Sequence, residues 1–183
     1  MEFQPTNING VWIVKSNVNL DERGSFLEWM RIDQAKIEIN LDFKVEQTSI
    51  SKSIKNVIRG MHYSINPVGQ SKWITCVLGT IKDVVIDLRS ESQTYMQQFQ
   101  IELNGLDGKS LMISSGIAHG FLCQSESAIV SYALSSAYRP DLEKSIQPFD
   151  SNLNITWGIS ESQAILSNKD KNAPAFIVNG ITK

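Results

Sequence analysis

The sequence predicts a mostly β protein: a sandwich or barrel of short strands with a few small helices at its periphery. Two observations lead to that class. Apolar, β-branched segments recur at close spacing through the middle of the chain, with Gly and Asn-Gly turn signals between them. Helix signals are short and fall toward the two ends.

Taken in order, Gly10-Val11-Trp12-Ile13-Val14 is apolar enough to pair as a strand, and Asp33-Gln34-Ala35-Lys36-Ile37 suits a short helix. Trp73 to Leu78 and Ile81 to Leu88 are apolar runs separated at Gly79-Thr80. Phe99, Ile101 and Leu103 alternate with period two, as a strand requires when successive side chains point to opposite faces. Asn104-Gly105 supplies turn chemistry; Lys109 to Ser114, Gly116 to Gln124 and Ala128 to Ser135 continue the series. Ser160 and Gln163 have the spacing of a capping box. The expected architecture is a barrel whose mouth holds a small ligand, with loops and a helical tail packed outside.

Residues 1–183 are expected to form one domain. Hydrophobic side chains make up 42% of the chain and charged ones 20%, and no Pro, Gly or Ser tract, charge block or repeat divides it. Seventeen basic residues against nineteen acidic ones give a net charge of -2, so no overall electrostatic footprint for nucleic acid or an anionic membrane exists. An anionic ligand needs a local site. The N-terminus lacks a basic segment followed by an apolar core, and no apolar run is long enough to span a bilayer; a cytoplasmic location is expected. Cys76 and Cys123 lie in apolar strand contexts without paired spacing and read as buried core thiols in a reducing compartment.

The chemistry available is narrow. The chain has two histidines, His62 and His119, and no His-x-His pair, so the converging ligands of a metal site are not expected. Gly-x-Ser-x-Gly, P-loop and Gly-x-Gly-x-x-Gly motifs are absent, which leaves acid-base chemistry. Histidine is the natural proton acceptor near neutral pH, worth about 10²–10⁴-fold when positioned, and a carboxylate would orient it. Taken singly, a histidine on a strand is more often structural. Arg59 stands three positions before His62, which puts the two on opposite faces of a regular strand unless the Gly60 region bends or bulges.

Several segments in order resemble the dTDP-4-dehydrorhamnose 3,5-epimerase family over roughly the whole chain. Asp21-Glu22-Arg23-Gly24-Ser25-Phe26-Leu27-Glu28 matches D-x-R-G-x-F-x-E, and Val57-Ile58-Arg59-Gly60-Met61-His62-Tyr63 matches V-[IL]-R-G-[LM]-H-[YF]. Gln70-Ser71-Lys72, Gly79 to Arg89, Gly116-Ile117-Ala118-His119-Gly120-Phe121, Tyr132, Tyr138-x-Pro140-x-x-Glu143 and Leu166-Ser167-Asn168-Lys169-Asp170 follow. The resemblance implies a jelly-roll cupin, a homodimer exchanging N-terminal strand segments, and no metal or other cofactor. It implies an epimerase that inverts C3, C5 or both of a nucleoside-diphosphate-linked, dTDP-type 4-keto-6-deoxyhexose.

The same resemblance assigns roles. His62 would be the base, Asp170 its orienting partner, Lys72 the stabiliser of the enolate oxygen, and Tyr132 the proton donor on the opposite face. Arg23, Arg59 and His119 would lie near phosphates or sugar, Phe26, Glu28 and Gln47 near the nucleotide, with Tyr138 also binding substrate. Thr48-Ser49-Ile50-Ser51 departs from the family pattern, as do Ile146 to Ser151 and Ser64. Two rival readings are a sugar-nucleotide 3,4-ketoisomerase, whose motif carries a second histidine where Ser64 stands, and a non-catalytic cupin binding module.

Overall fold

The computed structural model describes residues 1–65, 69–105 and 107–177. The apolar runs of the middle of the chain become the central strands of two facing sheets. In chain order the strands are β1 (Glu2–Pro5), β2 (Val11–Lys15), β3 (Val18–Asp21), β4 (Gly24–Leu27), β5 (Gln47–Ile54), β6 (Ile58–Ser64) and β7 (Lys72–Leu78). They continue with β8 (Thr80–Asp87), β9 (Gln98–Asn104), β10 (Lys109–Ile113), β11 (Ile117–Cys123), β12 (Ser127–Leu134) and β13 (Glu143–Ser145). One sheet has the order β1-β2-β10-β7-β12-β5, the other β13-β6-β11-β8-β9, and β3 with β4 makes a hairpin of its own. Crossovers between the sheets give the jelly-roll arrangement, mostly β as the sequence predicts.

The central strands read as unbroken apolar runs because both of their faces are covered. On β8, Ile81 and Val85 point into the core between the sheets, where they meet Ile74, Leu111, Phe121 and Val130. Val84 and Ile86, on its other face, pack under the C-terminal segment with Ile146, Leu153 and Trp157. The outer face of the six-stranded sheet is covered by helix α1 (Ile32–Ile39) and the segment after it, through Ala35 and Phe43 against Val14, Trp73 and Met112. Trp73 is fully buried, its indole N–H donates to Ser110 Oγ at 2.8 Å, and Phe3 and Phe43 stand edge-on to it.

The expected helix at residues 33–37 lies inside α1, which ends at Asn40 in the left-handed region with its N–H bonded to Ala35 O. Ser160 and Gln163 form the reciprocal cap, but it closes only a 3-10 turn, Glu161–Gln163. Strand β5 has no counterpart in the sequence reading, since its Gln-Thr-Ser-Ile-Ser-Lys-Ser-Ile run offers no apolar face. Cys76 and Cys123 are buried and unpaired, as expected.

Candidate active site

Strand β6 carries Arg59 and His62, and its pairing with β11 is irregular. His62 stands opposite His119, and Arg59 opposite Phe121, so three steps on β6 match two on β11. This bulge at Gly60 and Met61 rephases the strand and turns both Arg59 and His62 to one cavity despite their odd separation. Only glycine fits at position 60: φ is +120°, and a Cβ there would lie 2.7 Å from Gly120 Cα.

The cavity has a volume of about 620 Å³ and opens between the ends of the two sheets. His62 Nε2 lies 2.6 Å from Asp170 Oδ1, leaving Nδ1 as the ring nitrogen not engaged by the carboxylate. Asp170 sits on the short helix α2 (Asn168–Lys171); its N–H donates to the N-cap Ser167 Oγ at 3.0 Å and its side chain is buried. Burial works to raise the Asp170 carboxyl, but the His62 hydrogen bond and charge, with Ser167 and the Gly60 N–H, outweigh it and hold it below the ordinary carboxylate range.

Across the cavity, β12 of the opposite sheet presents Tyr132. Its phenol oxygen is 3.0 Å from Ser51 Oγ on β5. Burial pushes the phenol up to about 12, against the hydrogen bond of Ser51. Lys72, at the start of β7, is pulled below the usual lysine range by burial; Glu143 acts against that pull and Lys169 with it. Arg59 is held by Ser53 Oγ at 3.0 Å from Nε and by Lys52 O at 2.9 Å from Nη2. His119 Nε2 lies 2.8 Å from Asp83 Oδ2; both residues are buried, and Asp83 Oδ1 has no hydrogen-bond partner among the described residues. At the mouth, Gln47 Oε1 accepts from the Tyr138 N–H at 2.8 Å.

His62, Lys72, Tyr132 and Asp170 therefore share one cavity, together with Gln47, Arg59, His119 and Tyr138. Arg23, Phe26 and Glu28 do not join them within the chain. Arg23 and Phe26 lie on the β3–β4 hairpin, which forms a two-stranded sheet apart from the two large ones; Arg23 pairs with Asp21, Phe26 is 64% exposed, and Glu28 pairs with Arg31 at 3.8 Å. Ser51, Glu143 and Lys169 line the cavity without having been given a role from the sequence, and Asp83 backs it through His119. An acidic residue inside an apolar run was the available signal for Asp83. Among the described residues no group of three or more His, Cys, Asp or Glu side chains is placed to hold a metal ion.

The family model for dTDP-4-dehydrorhamnose 3,5-epimerase matches residues 5–177. The chain belongs to this family. Membership makes it an isomerase of the epimerase kind, and the jelly-roll fold is that of its dTDP-sugar epimerase relatives. It is similar to the dTDP-4-dehydrorhamnose 3-epimerase of Streptomyces niveus, 35% identical over 94% of this chain and 83% of that one. Among solved structures, dTDP-4-dehydrorhamnose 3,5-epimerase from Elizabethkingia anophelis superposes with a TM-score of 0.89 at 36% identity, covering 96% of both chains. The Legionella pneumophila dTDP-6-deoxy-D-glucose-3,5-epimerase, solved in complex with dTDP-4-keto-L-rhamnose, gives 0.88 at 32% identity, covering 95% of this chain and 92% of that one.

Proposed function

We propose that the chain inverts C3, C5 or both of a dTDP-linked 4-keto-6-deoxyhexose by removing a proton and returning one to the other face. One observation carries this reading: the His62–Asp170 pair and Tyr132 come from opposite walls of a single cavity. Inversion needs that arrangement, because a lone base returns a proton to the face it came from.

The C4 ketone acidifies the hydrogens at C3 and C5. His62 takes one of them, Asp170 holds the ring in place and stabilises the imidazolium, and the electron pair moves toward the C4 oxygen. Lys72 meets that oxygen as charge develops, an interaction stronger in the transition state than in the ground state. Tyr132 then protonates the carbon from the opposite side as the ketone re-forms. His62 then gives its proton to solvent and Tyr132 regains one, so the cycle closes with no change of oxidation state.

Arg59 and His119 serve the phosphates or sugar, where a guanidinium fork suits diphosphate oxygens, and Gln47 and Tyr138 serve the nucleotide at the mouth. The dTDP sugar bound in the Legionella relative supports that substrate class. Arg23, Phe26 and Glu28 belong to the same site if the chain is a homodimer whose β3–β4 hairpin, with Leu20 and Phe26 exposed, reaches the partner's cavity. Two unpaired core cysteines support a cytoplasmic setting. The ketoisomerase reading is disfavoured at Ser64, whose buried hydroxyl is taken by the Gln70 N–H at 2.8 Å.

Incubation in D2O with a panel of dTDP-linked 4-keto-6-deoxysugars, followed by NMR, tests the reading. Deuterium at C3 or C5 together with an inverted product is the expected result. No exchange with any of them would leave a binding module, and a 3-keto product would make the chain a ketoisomerase.

A further inference from the structure

Strand β5 turns Gln47, Ser49, Ser51 and Ser53 inward and leaves Thr48, Ile50, Lys52 and Ile54 exposed. That is the reverse of an ordinary half-buried strand, whose apolar side chains face the core. The inward groups are in use: Gln47 holds the Tyr138 backbone, Ser53 holds Arg59, and Ser51 meets Tyr132. Of these three contacts, only that of Ser51 falls on the group that must give up its proton in the reaction proposed above. We propose, on the basis of that reading, that Ser51 is the positioning residue for Tyr132 and stabilises the phenolate it becomes.

Tyr132 pairs in register with Ser49, so Ser51 stands diagonally across the two strands on the same face, its Oγ 3.0 Å from the phenol oxygen. A phenol has one proton, and to reach the carbon it must point at the substrate. At that moment the serine hydroxyl has to donate and the phenol oxygen accept. In the transfer the phenolic O–H bond breaks, the enolate's C=C electron pair forms the new C–H bond, and the C4 carbonyl is restored. The phenolate left behind accepts from Ser51, a charge-assisted hydrogen bond in surroundings whose burial opposes that charge. Solvent reprotonates it after product leaves. Ser51 is also the strongest influence working against burial on the phenol.

The test measures two rates by NMR in D2O, inversion of the sugar carbon and washout of its hydrogen, for wild type, Ser51→Ala, Ser51→Thr, Tyr132→Phe and the Ser51→Ala/Tyr132→Phe double variant. Ser51→Ala is expected to slow inversion about 10–100-fold, the worth of one hydrogen bond to a charged oxygen, while washout persists. Ser51→Thr, which keeps the hydroxyl, will restore inversion, and the double variant will be no slower than Tyr132→Phe alone. The proposal is overturned if Ser51→Ala keeps the wild-type ratio of inversion to washout, if both rates fall together, or if its loss adds in full to that of Tyr132→Phe. Wild type that neither exchanges nor inverts any 4-keto sugar overturns the enzymatic reading itself, a result distinct from failure of the serine variants.

Discussion

Three side chains, His62, Asp170 and Tyr132, divide the proposed reaction into steps that substitution can separate. His62→Ala will abolish solvent exchange, whereas Asp170→Asn will lower it by about 10²–10⁴-fold, because the imidazole survives with a weaker orienting partner. Tyr132→Phe will slow inversion far more than washout; both are read by NMR in D2O. These residues were legible because each stands in a recognisable segment and the segments keep their order. Ser51 was not, since its value lies in a diagonal contact across two strands that no spacing along the chain reveals. Away from the cavity, Asp87 is buried; burial opposes its charge, but Arg89, Ser92 and Thr94 overcome that and bring its pKa from 3.8 down to about 2. A depressed carboxyl contributes stability that is complete above its ordinary pKa and lost as pH falls through the folded value. About 2 kcal/mol will therefore disappear between roughly pH 4 and pH 2, and Asp87→Asn will flatten that part of the urea-midpoint profile.

Among the elements, β6 and β5 show opposite limits of sequence reading. Arg59 and His62 can share a site only if the strand bends or bulges near Gly60, and β6 meets that condition through an irregular pairing with β11. Gly60→Ala tests that element. A methyl at φ +120°, 2.7 Å from Gly120 Cα, will cost at least about 1–3 kcal/mol in denaturant unfolding and suppress washout by displacing His62. Strand β8 was legible because cover on both faces demands Ile81, Val84, Val85 and Ile86 together. Strand β5 escaped because its isoleucines face out, Ile50 at 75% and Ile54 at 58% exposure, and its inner face is polar for the sake of the cavity. A pattern rule that seeks apolar side chains on the buried face fails where the buried face is a binding wall.

At the scale of the whole molecule, two covered sheets follow from composition and strand spacing, but the order in which they interleave does not, because turns fix only local neighbours. The association of chains lies further out of reach. If each β3–β4 hairpin completes a neighbouring cavity, a hairpin variant such as Arg23→Ala and the His62→Ala variant, each impaired alone, will recover activity when unfolded and refolded together, since mixed dimers hold one cavity with both groups intact. Recovery that never exceeds the separate activities would sink that arrangement. The detached hairpin also has a thermodynamic corollary. Arg23 and Phe26 would then belong to two equilibria at once, ligand uptake and subunit association, and mass action ties the two together. A dTDP sugar will shift the dimer–monomer midpoint in sedimentation to lower protein concentration, and extreme dilution will weaken the sugar's apparent affinity by the reciprocal factor.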